Sequence, residues 1–406
     1  MLEKRLDSVK LMIEGIIVMC TGLFVLYKQR LLIYWLGILF IFISFLLFLK
    51  YHQWIYSIIV FSIGVIHCVI PNIPLFLVQL SISFVFMMHA FIHFITFLLH
   101  YRNKSLDFIQ EIFFTLCYLL FAFLVYRDSS SVMLIIGIYF ILYGLCDLKD
   151  ALFAYYHIQI KSFIRHKVRI ELPIVLSVLI PSKVLKTING LSYDEVIKEN
   201  KSDQKPDIEV LIHMTPSGYS ALGHVDLCIN GYVITYGNYD ASSYRLFDAI
   251  GDGVLMVVKK EEYIEFCKRD TNKTLVGFGL MISDEKKIAI KKRIRTIFDL
   301  LYPWECDYKK AMKTNDIDKM NKSLTYYANR IYKATGAKMY KFKKSKFKTY
   351  FVFTTNCVLL ADSILEKAGV DLLGINGIIT PGTYYDYLNR EFQKETLFVV
   401  SRRVYQ

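Results

Sequence analysis

Up to about residue 156 the chain repeats one pattern, long apolar runs separated by short polar breaks. The runs cover residues 8–27, 31–49, 54–71, 74–99, 107–126 and 132–156. Most approach the roughly 20 residues a helix needs to cross a hydrocarbon core, so the pattern predicts a multi-pass membrane domain of about six helices in three hairpins. The first run lacks a small-residue cleavage site and another follows at once, which predicts a retained span rather than a secretory signal.

The pattern changes after Tyr156. Lys161, Arg165, Lys167 and Arg169 lead into an apolar stretch of nine residues, Leu172 to Ile180, then Pro181, Lys183 and Lys186. Nine residues are too few to span, so 157–205 reads as a basic interfacial segment and linker. From residue 206 to 406 the pattern predicts an α+β domain. Strand-like runs occupy 208–214 and 224–229, the Asn230-Gly231 pair predicts a two-residue hairpin, and 232–236, 255–258 and 275–281 supply further strands. Ser283 is placed to cap a helix with Ile290, Ile294, Ile297 and Leu301 on one face. Ile317, Met320, Leu324, Tyr327 and Ile331 predict a second amphipathic helix, and a third begins at Cys357.

Composition agrees with the division. Over 406 residues, 54% are hydrophobic and the formal charge is +13, and the mean hydropathy of +0.37 is too high for one soluble domain. Ionisable groups in the spans are few: Glu14, His67, His89, His93 and Glu111. The His89–His93 pair reads as a buried polar contact between helices, with a metal or haem site as the alternative. Cys20, Cys68, Cys117 and Cys146 sit in apolar runs as small hydrophobes, and the polar-half thiols have no C-x-x-C spacing, which argues against zinc. No cofactor is expected.

Cys357 differs from the other thiols. Thr354, Thr355 and Asn356 are capping residues, and Ala361, Ile364, Leu365 and Ala368 mark the apolar stripe of the helix that follows. The thiol falls in the first turn, where unpaired N–H groups and the helix dipole favour thiolate and can receive an oxyanion. His224, after Gly223 at the start of a strand, shares a face with Asp226 and Cys228. Cys228 lies about 13 Å along that strand at ~3.3 Å per residue, too far for direct proton transfer, so Cys357 is the candidate nucleophile.

The runs Gly223-His224-Val225-Asp226-Leu227, Tyr236-Gly237-Asn238-Tyr239-Asp240 and Thr355-Asn356-Cys357 resemble the pattern of circularly permuted, NlpC-type papain-like enzymes. That group is similar to lecithin:retinol acyltransferase in its order of His before Cys. In the apolar half, Glu14 to Cys20 resembles Glu111 to Cys117, with Gly-Ile steps at Gly37 and Gly137, a hairpin repeat similar to the HdeD-type family. An HdeD-like half at 1–156 followed by such a thiol domain at 206–406 resembles the A component of lipoprotein N-acylation systems of the staphylococcal two-component type. The resemblance implies a membrane-bound acyltransferase of the cell membrane with Cys357 as nucleophile and His224 as base. It implies membrane phospholipid as acyl donor, a diacylglyceryl lipoprotein as acceptor, and a second membrane protein of the same pathway. It also implies a third polar residue on the neighbouring strand to orient His224. The matching position is Thr235 or Tyr236, with Asn238, Asp240 and His213 as further candidates. Tyr236 is the choice made here.

Before the cysteine helix, Lys341, Lys343, Lys344 and Lys346 alternate with aromatic residues, a composition suited to anionic headgroups. Lipid phosphate accounts for the net charge, so no nucleic-acid partner is expected, although nucleic acid is the other physical reading. Two rival functions stay open, a papain-like cell-wall amidase or lipid hydrolase and a non-enzymatic membrane scaffold. With six spans, the Lys and Arg distribution puts the thiol domain in the cytoplasm, whereas lipoprotein N-acylation belongs to the outer face. A seventh span at 172–188 would reconcile them.

Overall fold

The structure is a computed structural model that describes residues 2–49, 54–155, 198–201, 205–214, 223–271, 274–368, 381–393 and 398–405. The interfacial segment expected at 157–205 and the additional span at 172–188 lie outside the described residues, apart from 198–201 and 205. The chain divides into two compact units, Met1–Phe97 with Phe108–Lys161, and Leu98–Asp107 with Ser162–Gln406.

The first unit is helical. Its elements are α1 (Leu2–Tyr27), α2 (Gln29–Leu49), α3 (Trp54–Val69), α4 (Asn72–Arg102), α5 (Phe108–Arg127) and α6 (Ser129–Tyr155). Of these, α4 and α5 are long and apolar enough to cross a membrane. Large apolar side chains such as Phe42, Ile55, Phe84 and Phe123 point outward, the reverse of a soluble bundle. Packing between helices rests on small residues and polar contacts. Helix α1 lies along α6 and α2 along α3. A Cβ on Gly22 would stand 2.7 Å from the Gly137 carbonyl oxygen, so the backbones touch there. Ser44 and Ser57 exchange hydrogen bonds between α2 and α3, and Gln79 donates to the Val125 and Tyr126 carbonyls. His93 pairs with Glu111 at 2.7 Å, and His89 and His93 both stack on Tyr118, so this pair forms an interhelical contact.

The second unit is built on an antiparallel sheet. Its strands are β1 (Lys198–Asn200), β2 (Ile208–Met214), β3 (His224–Ile229), β4 (Tyr232–Asn238), β5 (Ile250–Lys259), β6 (Thr274–Leu280), β7 (Leu301–Pro303), β8 (Lys338–Phe342), β9 (Thr349–Phe351) and β10 (Val399–Tyr405). They run in the order β1-β10-β6-β2-β3-β4-β5-β8-β7, with β9 pairing to β5. The helices are α7 (Lys260–Thr271), α8 (Asp284–Asp299), α9 (Asp307–Lys313), α10 (Ile317–Ser323), α11 (Tyr327–Thr335), α12 (Cys357–Leu365) and α13 (Pro381–Gln393). One buried cluster joins Val225, Leu227, Tyr236 and Leu255 of the sheet to α8, α12 and α13. A second, with Leu211, Val233 and Met256, lies against α7 and α11. The sheet is therefore covered on both faces.

Two expectations change. The single amphipathic helix through 317–331 is two helices, because Asn329 donates to the Ser323 carbonyl and draws the chain into a turn, while its own Oδ1 accepts from Tyr308. Leu301, read as the end of a helical stripe, instead begins β7, which pairs with β8. The substitution Gly22→Leu should weaken the α1–α6 pair by about 1–3 kcal/mol through overpacking. Thermal unfolding of the full-length protein in detergent checks this, with Leu23→Val on the exposed side of α1 as the neutral control.

Candidate active site

The hairpin turn at Asn230-Gly231 sets the geometry. Asn230 and Gly231 take positive φ of 51° and 78°, and Ile229 pairs with Tyr232 and Leu227 with Ile234. Continuing that register places Thr235 opposite Asp226, and a side-chain period of two then puts His224, Asp226 and Thr235 on one face. On β2, His213 pairs with His224. Gly223 brings the chain in at φ +77°, and a Cβ there would lie 2.9 Å from the Pro381 side chain and 3.1 Å from the His213 carbonyl oxygen. That approach requires glycine, which explains the residue before the histidine.

His224 Nε2 lies 2.9 Å from Asp226 Oδ1, 3.0 Å from Thr235 Oγ1 and 3.2 Å from Tyr239 Oη. Asp226 is itself fixed by two more groups. Its Oδ2 is 2.7 Å from His213 Nε2 and accepts the Tyr263 hydroxyl at 2.6 Å. Asp226, His213 and Tyr263 are all buried, so these contacts exclude water. With Nε2 committed to this side, the other edge of the ring is left for the thiol, and Cys357 lies close enough to help raise the His224 imidazole.

Cys357 opens α12. Asn356 caps the helix, its Oδ1 accepting from the Leu359 N–H at 3.1 Å and its Nδ2 donating to the Val352 carbonyl. The N–H groups of Cys357 and Val358 come before the first intrahelical bond, from the Leu360 N–H to the Asn356 carbonyl, in the turn that carries the sulfur. Tyr350 of β9 lies beside Cys357; burial first, then the sulfur, hold its phenol well above the usual range, so it remains neutral. Cys357 itself is buried, whereas His224 keeps 17% of its side-chain surface exposed.

Burial works against charge on the His224 ring, but the Asp226 carboxylate and then Cys357 outweigh it and raise the imidazole to about 10. Burial alone would raise Asp226 as well. The charge of His224 and the hydrogen bond from His213 instead hold it far below the usual carboxylate range. Burial, with Glu209 next, pushes the Cys228 thiol up to about 11, and burial also raises Cys306. Neither is placed to react.

The structure thus brings Cys357 and His224 together and sets Tyr236 apart from His224. Tyr236 lies one residue out of phase with Thr235, on the other face of the sheet in the core it shares with Cys357, Phe342 and Phe347, and its hydroxyl donates to the Phe347 carbonyl at 2.9 Å and lies 3.5 Å from the Thr355 carbonyl. The orienting groups are Asp226, Thr235 and Tyr239. Asp226 and Thr235 were reachable from the hairpin register alone, while Tyr239, Tyr263 and Tyr350 carried no local signal. Asn238 donates to the Asp248 carbonyl, and Asp240 caps a turn and pairs with Lys341.

The four lysines also separate. Strand β8 is interior, and Lys341 is buried between Asp240 at 2.6 Å and Asp252 at 2.7 Å with its ammonium over the Trp304 ring, so it is not free to meet a headgroup. Lys343 and Lys344 are exposed, and Lys346 is half-buried against Phe347. Among the described residues no group of three or more His, Cys, Asp and Glu side chains is arranged to hold a metal ion.

The charge pair sets a pH window. Asp226 is lowered, so its contribution to stability is complete above the ordinary carboxylate value of 3.8 and is lost as pH falls below it. His224 is raised, so its contribution is complete below 6.5 and is lost as pH rises towards 10. Urea unfolding of the full-length protein should therefore show a falling midpoint between pH 6.5 and 10, and Asp226→Asn should flatten that fall. In the same variant the His224 titration, followed by NMR of labelled imidazole nitrogens, should fall well below that of the native protein, because the carboxylate is gone and only Cys357 still opposes burial.

No protein-family model, curated protein or solved structure matches this chain. What the structure supplies is a thiol at a helix start beside a histidine that a buried carboxylate holds.

Proposed function

We propose that this protein is a multi-pass membrane thiol acyltransferase whose second unit is a circularly permuted papain-like domain. The observation that carries the reading is a helix-start thiol beside His224, whose ring a buried Asp226 holds at 2.9 Å. The thiol, the histidine and the carboxylate are neighbours in that order, and the thiol occupies the start of a helix.

His224 takes the thiol proton of Cys357, and the sulfur attacks the carbonyl carbon of an acyl ester. The Cys357 and Val358 N–H groups, with the Tyr350 hydroxyl, receive the oxyanion. The tetrahedral adduct expels the alkoxide of the lysolipid, which takes the proton held on His224, and a thioester remains on Cys357. An imidazole raised to about 10 keeps that proton until the leaving oxygen claims it. A primary amine then attacks the thioester, forms an amide and returns a proton through His224 to the sulfur. The donor is a membrane phospholipid and the acceptor the α-amine of a diacylglyceryl lipoprotein, presented with a second membrane protein. The outward apolar side chains of α1 to α6 support a six-span anchor that keeps the thiol near its lipid substrate.

Incubating the purified protein with phospholipid labelled in the acyl chain should leave label on Cys357 that hydroxylamine removes. The substitution Cys357→Ala should abolish it, and His224→Ala should slow its formation by about 10²–10⁴-fold. Acid-quenched mass spectrometry of the cysteine peptide reads both. Folded protein that never acquires the thioester from any bilayer lipid would overturn the assignment.

A further inference from the structure

Within the second unit, a cavity of about 340 Å³ opens between the 103–107 loop, α8 and the turn after β8. Its lining includes Lys104, Arg293, Lys344, Lys346, Ser345 and Asp107, four cations against one carboxylate. Asp107 is already engaged by the Ser105 hydroxyl at 2.9 Å, and Arg293 Nε donates to the Ser363 carbonyl. Among the described residues none of the four cations has a carboxylate within ion-pair distance, unlike Lys341 five residues before Lys346. Lys104 takes φ 56° at the left-handed position that closes α4, where the Ser105 N–H bonds the His100 carbonyl, and Ser345 caps the turn that follows β8, so both positions are fixed by local hydrogen bonds.

We infer that this cavity binds the phosphate of an anionic glycerophospholipid. Converging cations without counter-charges repel one another, and a phosphate with its acceptor oxygens relieves that repulsion through charge-assisted hydrogen bonds. The floor is apolar, with Ile297 and Phe342 buried beneath the charges, which suits a phosphate carried on a hydrocarbon body better than a free ion. The 103–107 loop joins the two helices that are long enough to span a membrane, so its own connectivity takes it to a headgroup layer.

The wall of the cavity is linked along the chain to a neighbour of the thiol. Phe347 in its wall accepts the Tyr236 hydroxyl through its carbonyl, and Tyr350, three residues on, reaches Cys357. Three residues of chain, the first of them in a 3-10 turn, cover at most about 10 Å. The inference deepens the acyltransferase reading and rests on it for the meaning of the site: the phosphate would anchor the donor while its ester reaches Cys357.

The test uses the full-length Cys357→Ala protein in a neutral detergent, so that binding is measured without turnover. Dihexanoyl phosphatidylglycerol should bind saturably, and the double substitution Lys344→Gln/Lys346→Gln should weaken it roughly tenfold or more at unchanged thermal stability. Lys104→Gln, on the opposite wall, should act in the same direction. Dihexanoylglycerol, which keeps the chains and lacks the phosphate, should not compete. Equal competition by that neutral lipid, or affinity indifferent to the lysines, would overturn the site. Inorganic phosphate that binds as tightly as the lipid would overturn the headgroup assignment in favour of a free-anion site. Thioester formation in the native protein that ignores these substitutions would sink the cavity alone, and tight lipid binding without any thioester would sink the acyltransferase reading alone.

Discussion

A single carboxylate inside the sheet holds the thiol site together. Asp226 is almost wholly buried, and an unpaired charge there would cost several kcal/mol. It persists because His224 neutralises one oxygen while His213 and Tyr263 bond the other. That arrangement fixes the ring of His224 from one side and leaves the other for sulfur. Strand β2, strand β3 and helix α7 each contribute one wall of this arrangement, so the sheet register and the helix position become conditions on the chemistry.

The register can be traced to two short signals. Asn230-Gly231 closes a two-residue hairpin and thereby sets which residues of β4 share a face with His224. Gly223 allows the backbone to pass the start of α13 and the His213 carbonyl at a distance a side chain would forbid. Both were visible as residue types. Applied consistently, hairpin parity also separates Thr235 from Tyr236: Tyr236 has the more versatile polar group, but it points into the other core, where Phe342 and Phe347 surround it. Side-chain chemistry was a poorer guide than the period of the strand.

The basic stretch before the cysteine helix shows the same conflict between composition and topology. As a string, Lys341 to Lys346 is an evenly charged surface. In the sheet, β8 lies between β5 and β7, so Lys341 is drawn into a buried ion pair while Lys344 and Lys346 stay at the rim of a cavity. Arg293 and Lys104, far away along the chain, join them there. A charge acquires its role from what it can reach, and neighbours in sequence need not share neighbours in space.

The sequence by itself determined the helical, apolar first half, the strands of the hairpin, the amphipathic helix that begins at Asp284, and the placement of His224 at a strand start and of Cys357 at a helix start. These are local or periodic properties, set by hydrophobic spacing, capping residues and turn chemistry within a few positions. Tertiary structure decided which residues complete the site. Tyr263, Tyr350 and His213 meet His224 and Cys357 only because β2, β9 and α7 pack where they do. It also split the expected 317–331 helix and turned 338–342 into an interior strand. Long-range pairing of that kind depends on the free energy of the whole assembled core, to which no single window of the chain has access.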